Sequence, residues 1–390
     1  MNILGIIVEY NPFHNGHLYH LSQAKTKSNA QYTIAVMSGH FTQRGLPASL
    51  DKYTRTRLAL LGGVDVVLEI PTPFSIASAN YFASGAVSVL NHTPVTHLVF
   101  GSETNDIDEL KQYAHLLNNE TPAYKFGLQK FLAQGFSYPH AREKAFSEIF
   151  SADACAVFRP NNTLGIEYLR ALDSIKSGII PLTLQRNNNL QSATSINAKI
   201  KKCELSQLKN EVPHFTYESL INANFLGELV SLDDFSAIFQ FVLKNPYTDF
   251  NDILDFSSEL HKRLIKSAGD FYKLSDILLD VKSKNYTLTR LQRAALHLLL
   301  GITKTDVENF LPVPYVRVLG FKKESAFLLK EIKAPLLTNP KNAPDILSPV
   351  GLSLFEKEVF ATDLYYMARP SYKNNPQKKG IEYSTPLVII

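Results

Sequence analysis

Cysteine and tryptophan are scarce in this chain: of its 390 residues, two are cysteine and none is tryptophan. Cys155 and Cys203 are too few for a disulfide framework, and neither belongs to a CxxC or Cys/His cluster that would bind zinc. No apolar run approaches the roughly 18 residues that a membrane helix needs. The opening MNILGIIVEYN lacks the basic start and the cleavage site of a signal peptide. We therefore expect a cytoplasmic protein with no membrane contact.

A large excess of charge of one sign is also absent, since the formal net charge is +4. Hydrophobic residues make up 45% and charged residues 19% of the chain, which excludes disordered and collagen-like classes. The exception is local: residues 261–333 carry fourteen Lys/Arg and seven Asp/Glu. This excess indicates a face for an anionic partner, although a solvated helical surface has the same composition.

The first half of the chain alternates short apolar runs with helical patterns. The predicted strands are Ile3–Glu9, Tyr32–Met37, Val64–Ile70, His97–Phe100 and Ile179–Leu184, and the predicted helices are Gly16–Lys27, Asp51–Leu61, Ala77–Leu90 and Asp106–Leu117. Nearly continuous apolar strands are typical of parallel sheets that are covered on both faces. The order predicts an α/β fold with a Rossmann-like open parallel sheet.

The strand signal fades after about Lys201 and helical patterns replace it. Examples are Asp252–Ser267, Thr289–Leu300 and Lys322–Ile332. We predict two domains: residues 1–200 as an α/β domain with the candidate site, and residues 201–390 as a mainly α-helical C-terminal domain.

One segment carries most of the chemistry, GIIVEYNPFHNGHLYH at Gly5–His20. A strand ends near Tyr10, and a helix then begins close to His14 and His17, whose spacing of three puts them on one side of its first turn. A helix N-terminus binds phosphate through unpaired backbone amides, and the carboxyl end of the first strand is where α/β sheets bind ligands. Two imidazoles there can donate hydrogen bonds to an α-phosphate, whereas the alternative is that they only cap the helix.

Four later stretches fit the same site. They are the loop VMSGHFTQRG with His40, Gln43 and Arg44; FGSE with Gly101; RPNNTLGIEYLRAL with Asn161 and Asn162; and LTLQRNNNLQSATSI with Arg186 and a Ser/Thr-rich helix start. A glycine lets a nucleotide lie against the backbone, and an asparagine can cap a helix or read an adenine edge.

Taken together, these stretches resemble the bacterial tRNA(Met) cytidine acetate ligases of the HxGH nucleotidyltransferase superfamily. The resemblance runs through VEYNPFHNGHLYH, VMSGHFTQRG, FGSE, PNNTLGIEYLRAL and SATSI in order, and so covers essentially the whole chain. It implies a ligase that activates acetate with ATP and Mg²⁺ as acetyl-adenylate. The acetyl group would then pass to N4 of the wobble cytidine of elongator tRNA(Met), with no obligatory protein partner.

The same resemblance assigns site residues in this chain. His14 and His17 would be catalytic. The ATP-binding residues would be Ile7, Val8, Glu9, Tyr10, Asn11, Pro12, Phe13, His14, Asn15, Gly16, His17, Leu18, Tyr19, His20, Gly101, Asn161, Asn162 and Arg186. Two positions depart from the family pattern, Leu46 in place of an acidic residue and Asn197 in place of arginine. Lys199, Lys201 or Arg186 are the candidates to replace that arginine.

The tRNA would lie on the basic segment of the second half. The predicted RNA-binding residues are Arg44, Lys262, Arg263, Lys266, Arg290 and Arg293, and the predicted stacking candidates are Tyr272, Tyr286 and Tyr315. Two other functions remain open at this point. A small-molecule adenylyltransferase shares the HNGH logic without RNA, and a non-catalytic RNA-binding protein would retain only the fold.

Overall fold

The computed structural model describes residues 1–136, 138–150, 157–185 and 190–390. Within these residues the strands are β1 (Ile3–Val8), β2 (Tyr32–Ser38), β3 (Phe41–Thr42), β4 (Leu46–Pro47), β5 (Val66–Ile70), β6 (His97–Ser102), β7 (Ile180–Gln185), β8 (Val316–Phe321), β9 (Leu336–Leu337) and β10 (Val388–Ile389).

Helices connect and cover these strands. The α-helices of the described residues are α1 (Asn15–Ser28), α2 (Lys52–Leu61), α3 (Thr72–Ser75), α4 (Ala79–Asn91), α5 (Ile107–Asn118), α6 (Pro122–Ala133), α7 (Tyr138–Phe150), α8 (Pro160–Ser174), α9 (Ala193–Lys201), α10 (His214–Phe225), α11 (Ser236–Lys244), α12 (Ser258–Asp270), α13 (Leu274–Val281), α14 (Leu288–Leu300), α15 (Lys304–Asn309), α16 (Ala343–Ile346), α17 (Pro349–Met367) and α18 (Ile381–Ser384). Short 3₁₀ helices span Leu205–Leu208, Leu232–Phe235, Lys323–Glu331, Pro340–Asn342 and Pro370–Lys373. None of the helices in this part of the chain combines the length and the apolar character that crossing a membrane requires.

Eight of the described strands form one sheet, in the order β10-β8-β5-β2-β1-β6-β7, with β9 paired to β8. Strand β1 pairs in parallel with β2 on one side and with β6 on the other. The chain therefore builds the sheet outward through β2 and β5, and then returns to the opposite side of β1 with β6. This reversal of strand order between β1 and β6 is the switch point at which α/β sheets form a ligand crevice.

The predicted open parallel sheet is confirmed, and the five predicted strands lie within two residues of the observed ones. Two expectations for the second half were wrong. The sequence pattern did not predict strand β8, which is buried and pairs antiparallel with β5. The predicted helix at 322–332 is a 3₁₀ helix, Lys323–Glu331. Because β8 pairs with a strand far earlier in the chain, its neighbours in sequence carry no signal of the pairing. The proposed domain boundary at residue 200 stays a prediction.

Three apolar cores hold the described structure together. One lies on the face of the sheet that α4 and α8 cover, and a second lies on the opposite face beneath α1 and α2. The third is built mainly by α11 to α14 and receives Phe41 from the β3–β4 hairpin and Tyr365 from α17. The helical part of the second half is therefore attached to the sheet through the hairpin that follows β2.

Candidate functional site

A cleft of about 660 Å³ opens at the carboxyl ends of β1 and β6. Ile7 and Val8 line it from β1, and Val99, Phe100 and Gly101 line it from β6. The N-termini of α1 and α9 also contribute lining residues. The cleft thus occupies the switch point of the sheet, with two helix N-termini directed at it, an arrangement that favours an anionic ligand.

The turn after β1 is held by side chains from distant segments. The Asn11 side-chain oxygen accepts a hydrogen bond from the Ser49 backbone N–H (2.9 Å). The Asn197 side-chain amide donates to the Asn11 carbonyl (2.8 Å), and its oxygen accepts from the Ser49 hydroxyl (2.8 Å). Asn197 lines the cleft and ties three segments together, which gives this departure from the family pattern a structural role.

His14 and His17 form a capping box at the start of α1. Nδ1 of His14 accepts a hydrogen bond from the Gly16 backbone N–H (3.0 Å), and Nδ1 of His17 accepts one from the His14 backbone N–H (3.3 Å). Because Nδ1 is the acceptor in both, each neutral ring carries its proton on Nε2. The rings are stacked with centroids 3.7 Å apart, and both line the cleft. Capping and ligand binding are therefore compatible, since they use different nitrogens.

Gly16 is required by the His14 ring. A Cβ at this position would lie 2.8 Å from Cε1 and 2.9 Å from Nδ1 of that imidazole. The close approach at this glycine is thus made by a side chain of the same turn, and it permits the cap of α1.

The structure brings most of the predicted ATP-binding residues to the cleft. Those that line it are Ile7, Val8, Glu9, Tyr10, Asn11, His14, Gly16, His17, Tyr19, His20, Gly101 and Asn161. Those described but not lining it are Pro12, Phe13, Asn15, Leu18 and Asn162. Phe13 is fully buried, and Leu18 points toward solvent. Arg186 lies outside the described residues. The binding roles themselves stay predictions.

Gly101 presents an open position on the cleft wall. A Cβ there would meet only the Leu184 carbonyl, at 4.0 Å. A larger side chain would therefore extend into the cleft rather than into the core.

Glu103 holds the N-terminus of α8, and its contacts distinguish Asn161 from Asn162. Its carboxylate accepts from the backbone N–H of Asn161 (3.2 Å) and of Asn162 (2.8 Å), and from the Asn161 side-chain amide (2.8 Å). The Asn162 side-chain oxygen accepts in return from the Glu103 backbone N–H (2.9 Å). Asn162 is therefore occupied in the loop after β6, and Asn161 is the member of the pair that lines the cleft.

The loop after β2 divides into a buried part and a part that lines the cleft. The His40 ring packs against Tyr365, with centroids 4.3 Å apart, and is not in the cleft. Burial, together with the cations of Lys52, Arg55 and Arg369, lowers the pKa of His40 well below its usual value. The sequence placed His40 at the site together with Gln43 and Arg44, whereas the structure puts its ring outside the cleft lining. Gln43 and Arg44, at the tip of the β3–β4 hairpin, do line the cleft.

The start of α9 forms the opposite wall. Ser192 caps the helix by accepting from the Ser195 backbone N–H (3.2 Å), and Thr194 accepts from the Arg44 guanidinium (3.1 Å). The lysines suggested as substitutes for the family arginine lie outside the cleft lining. Lys199 pairs with Glu211 at 2.5 Å, and Lys201 lies 3.5 Å from Asp233.

Three polar residues of the cleft, Gln23, Lys27 and Asn105, lie outside the stretches that the sequence singled out. Those stretches contain other polar lining residues that were not named, which are Thr42, Tyr168, Gln185 and Gln191. Helical spacing offered a signal for Gln23 and Lys27, because His20, Gln23 and Lys27 recur every three to four residues on α1. Lys27 donates to the Thr183 carbonyl (2.6 Å). Asn105 lies in the loop after β6, and no local pattern connects it to the motif.

Burial shifts the pKa values of several ionisable groups in the cleft, and two of these groups are His20 and Glu9. Burial lowers the pKa of His20 to about 4, so this ring is neutral near pH 7. Burial raises the pKa of Glu9, against the opposing effects of a hydrogen bond from the Gln43 backbone and of the Arg44 and Arg55 cations. Across the described residues, no group of three His, Cys, Asp or Glu side chains is arranged to hold a metal ion.

Comparisons with known proteins agree on one family. A family model described as HIGH Nucleotidyl Transferase matches residues 1–380. The tRNA(Met) cytidine acetate ligase of Thermoanaerobacter sp. (strain X514) is 38% identical over 407 residues, with 100% of both chains covered. The protein of the same name from Caldicellulosiruptor saccharolyticus is 40% identical, with 95% of each chain covered. The chain belongs to the tRNA(Met) cytidine acetate ligase family.

Solved structures of this acetate ligase family have the same fold. The Thermotoga maritima TmcAL bound with α-thio ATP (form II) is 33% identical and superposes with a TM-score of 0.94 over 100% of both chains. The apo form I of the same protein gives a TM-score of 0.93. The resemblance carried by VEYNPFHNGHLYH and the later stretches is thereby confirmed, and so is the nucleotidyltransferase fold of this family member.

The predicted RNA-binding residues of this acetate ligase family member lie on two helices and one hairpin. Lys262, Arg263 and Lys266 are exposed on α12. The guanidinium groups of Arg263 and Arg290 lie 5.5 and 5.2 Å from the Tyr286 ring centroid, which brings α12 and α14 together. The Arg293 side chain is only 13% exposed and pairs with Asp255 at 3.2 Å. Arg293 is thus the least accessible of the predicted RNA contacts on these two helices.

The hairpin that carries Arg44 packs directly on α14. Gly45 has a φ of 72°, and a Cβ there would overlap the backbone N of Arg293. Arg44 therefore lies between the cleft and the basic helices. Of the stacking candidates, Tyr272 is 66% exposed, whereas Tyr315 is buried in the core and cannot meet a base.

Proposed function

We propose that this protein is an ATP-dependent acetate ligase that forms acetyl-adenylate and transfers the acetyl group to N4 of the wobble cytidine of elongator tRNA(Met). The observation that carries the proposal is the His14–His17 capping box at the switch point, where both rings place a proton on Nε2 and line a cleft. Full-length relatives named tRNA(Met) cytidine acetate ligase support the choice of substrates over a small-molecule adenylyltransferase. A tRNA substrate also supports a cytoplasmic location.

ATP would bind with its phosphates between the N-termini of α1 and α9. Backbone amides and partial positive charges at both helix starts suit the triphosphate. The base would lie against Gly101, close to Asn161, because the glycine leaves open space on this wall. Mg²⁺ would enter on the nucleotide phosphates, since the described residues offer no group of three ligands. When bound, it would offset negative charge on the phosphates.

In the first step, an acetate oxygen attacks the α-phosphorus and pyrophosphate leaves. Negative charge on the α-phosphate oxygens rises during this displacement. The Nε2–H groups of His14 and His17 would donate to those oxygens from positions set before the reaction, so no reorganisation is needed as charge develops. The mixed anhydride hydrolyses readily in water, so the cleft would shelter it until the tRNA arrives.

In the second step, the cytidine amine attacks the acetyl carbon and AMP leaves. The anticodon base would leave its stack to reach the cleft, as expected for recognition of a single-stranded loop. Arg44, at the rim, would guide the tRNA toward the cleft, with Lys262, Arg263, Lys266 and Arg290 binding backbone phosphates on α12 and α14.

The test is to incubate the protein with ATP, Mg²⁺, labelled acetate and a tRNA pool, and then to digest the RNA. We expect label in an acetylated cytidine nucleoside from elongator tRNA(Met), together with acetate-dependent exchange of pyrophosphate into ATP. Turnover of a phosphorylated metabolite without RNA, and no acetylated nucleoside, would favour a small-molecule adenylyltransferase. Binding of tRNA without any exchange would leave only a non-catalytic RNA-binding protein.

A further inference from the structure

Glu9 is the single carboxylate among the described residues that line the cleft. It follows β1 directly and is half-buried. Both substrates of the first step, ATP and acetate, are anions, so a carboxylate beside them opposes their binding. Its presence at this position therefore calls for a function in the reaction.

One hydrogen bond holds the Glu9 carboxylate, and another holds its main chain. One oxygen, Oε1, accepts a hydrogen bond from the Gln43 backbone N–H at the hairpin tip (2.7 Å). The Arg55 guanidinium donates to the Glu9 backbone carbonyl (2.5 Å), which fixes the main chain at this residue. The other carboxylate oxygen, Oε2, makes no hydrogen bond within the described part of the chain. Glu9 thus has one anchored oxygen and one that can serve a substrate.

The transfer step needs a proton acceptor. The N4 amine of cytidine is a poor nucleophile because its lone pair is delocalised into the ring, and it becomes an amide only after losing a proton. Nδ1 of His14 and of His17 accepts a backbone hydrogen bond, so Nε2 holds the proton of each neutral ring and cannot accept another. His20 is a weak base, because burial lowers its pKa to about 4. Of the carboxylate and imidazole side chains that line the cleft, Glu9 remains.

A carboxylate is also suited to recognising cytosine, the nucleobase that this site must select. The exocyclic N4 of cytosine is a hydrogen-bond donor, and Glu or Asp accepts from it, whereas uracil presents an acceptor at the same position. One oxygen of Glu9 would therefore recognise the cytidine amine and stand within reach of the proton that the amine must lose.

We propose that Glu9 binds N4 of the target cytidine and acts as the general base for acetyl transfer, an assignment that rests on the proposed function. The N4 lone pair forms a bond to the acetyl carbon, the bond between that carbon and the AMP oxygen breaks, and AMP leaves with the electron pair. One N4 proton passes to Oε2 of Glu9 and then to solvent. No further reactant is needed.

The groups that face Glu9 agree with this assignment. Burial raises the pKa of Glu9, while the hydrogen bond from the Gln43 backbone and the cations of Arg44 and Arg55 oppose that rise. A raised pKa makes a carboxylate a better proton acceptor. Tyr168, on α8, is close enough for Glu9 to raise the pKa of its hydroxyl, although burial is the larger cause. The phenol therefore stays protonated and cannot replace Glu9 as the base.

The test is Glu9→Gln, measured separately in each step. The amide keeps an oxygen for the Gln43 backbone N–H and loses the basic one. Acetate-dependent exchange of pyrophosphate, and trapping of acetyl-adenylate by hydroxylamine, should fall less than about tenfold. Single-turnover transfer to tRNA should fall by about 100-fold or more, the usual contribution of a general base. Wild-type transfer should rise with pH through one ionisation, and Glu9→Gln should lose that rise. Glu9→Asp should restore part of the rate.

Asp108→Asn is the matched control, because this carboxylate is 82% exposed and lies on α5 outside the cleft lining. It should change neither step. Equal losses of exchange and transfer in Glu9→Gln would overturn the assignment and point to a metal-binding or structural role. Unchanged transfer would overturn it as well. If the wild type yields no acetylated nucleoside at all, the proposed function has failed, which is a different outcome.

Discussion

Single side chains of the cleft have atoms that hold the fold, and we propose that other atoms of the same side chains act in the reaction. In each histidine of the HNGH segment, one nitrogen caps α1 and the other keeps the proton. Capping of the helix by these histidines therefore does not exclude ligand binding by the same rings. The same holds for Glu9, which anchors the hairpin with one oxygen.

Gly16→Ala should remove catalysis by displacing one imidazole. The new Cβ would lie 2.8 Å from Cε1 of His14, so the ring must rotate and lose its hydrogen bond from the residue 16 backbone. We expect acetate-dependent exchange to fall at least about 100-fold, since a preorganised donor is displaced. The free energy of unfolding should fall by about 1 kcal/mol, the usual cost of losing a helix cap.

Gly178→Ala is the control for this substitution, because a Cβ there meets nothing within 4 Å. Exchange kinetics and urea denaturation of both variants check the prediction. Full exchange activity in Gly16→Ala would show that the His14 orientation is unimportant.

Gly101→Val should weaken ATP binding without disturbing the fold. The added side chain projects into the cleft, where only the Leu184 carbonyl is near, and valine suits a strand. We expect the KM for ATP to rise at least about tenfold while the midpoint of thermal unfolding stays within about 2 °C, because no buried contact changes. An unchanged KM would mean that the nucleotide binds elsewhere.

Among the elements, α12 and α14 form the most promising RNA surface. Three exposed cations lie on α12, and Tyr286 holds Arg263 and Arg290 side by side. The hairpin joins this surface to the cleft through the contact of Gly45 with α14. Phosphate contacts made here would place a bound RNA near the cleft rim.

Replacing Lys262, Arg263 and Lys266 together by glutamine should weaken tRNA binding. A protein that neutralises fewer phosphates releases fewer counterions on binding, so the slope of log K against log salt should decrease in magnitude by about 2 when three cations are removed. Exchange without tRNA should be unaffected, since these side chains do not line the cleft. Filter binding at several salt concentrations provides the measurement.

The control is a second triple substitution to glutamine, which removes the same charge from exposed positions on α5 and α6: Lys111, Lys125 and Lys130. Equal changes in both triples would mean that only net charge matters, and that α12 is no specific RNA surface.

At the scale of the whole molecule, a buried cluster of charged side chains joins α18 to α2 and to the main sheet. Lys52 on α2 lies 2.7 Å from Glu69 on β5 and 2.9 Å from Glu382 on α18. Glu382 also pairs with Arg317 on β8 at 3.3 Å. Burial alone would raise the pKa of Glu382, but the Lys52 and Arg317 cations outweigh it and lower this pKa to about 2.

Glu382→Gln should destabilise the protein by about 3–5 kcal/mol, because it leaves two buried cations short of negative charge. The pKa of Glu382 is lowered in the folded state from 4.5 to about 2. Its contribution to the free energy of unfolding is therefore present above pH 4.5 and is lost as the pH falls toward 2. The variant should therefore lose less stability than the wild type in that range.

Urea denaturation as a function of pH checks this, with Glu324→Gln as the control, since Glu324 is exposed and should change stability by less than about 0.5 kcal/mol. Identical pH profiles for wild type and Glu382→Gln would contradict the role given to this carboxylate.

Local sequence was sufficient for β1, β2, β5, β6 and β7 of the main sheet, for α1, and for the position of the histidine turn after β1. These features depend on periodicity and on neighbours within a few residues, which the order of amino acids records directly. The family resemblance likewise depended on short segments such as HNGH. For the same reason the basic character of α12 was visible, although its use by RNA stays a prediction.

Contacts between distant segments leave no signal in the local sequence. Asn197 holds the Asn11 turn across 186 positions, His40 turns inward onto Tyr365, and β8 joins a strand from the first half. None has a local pattern, because the partner that makes each contact favourable is brought near only by folding of the chain. Sequence periodicity thus accounts for the strands, the helices and the histidine motif. Burial and strand pairing, which depend on the folded chain, decide which polar side chains reach the cleft. They also decide which polar side chains, such as Lys52 and Glu382, are enclosed in the core.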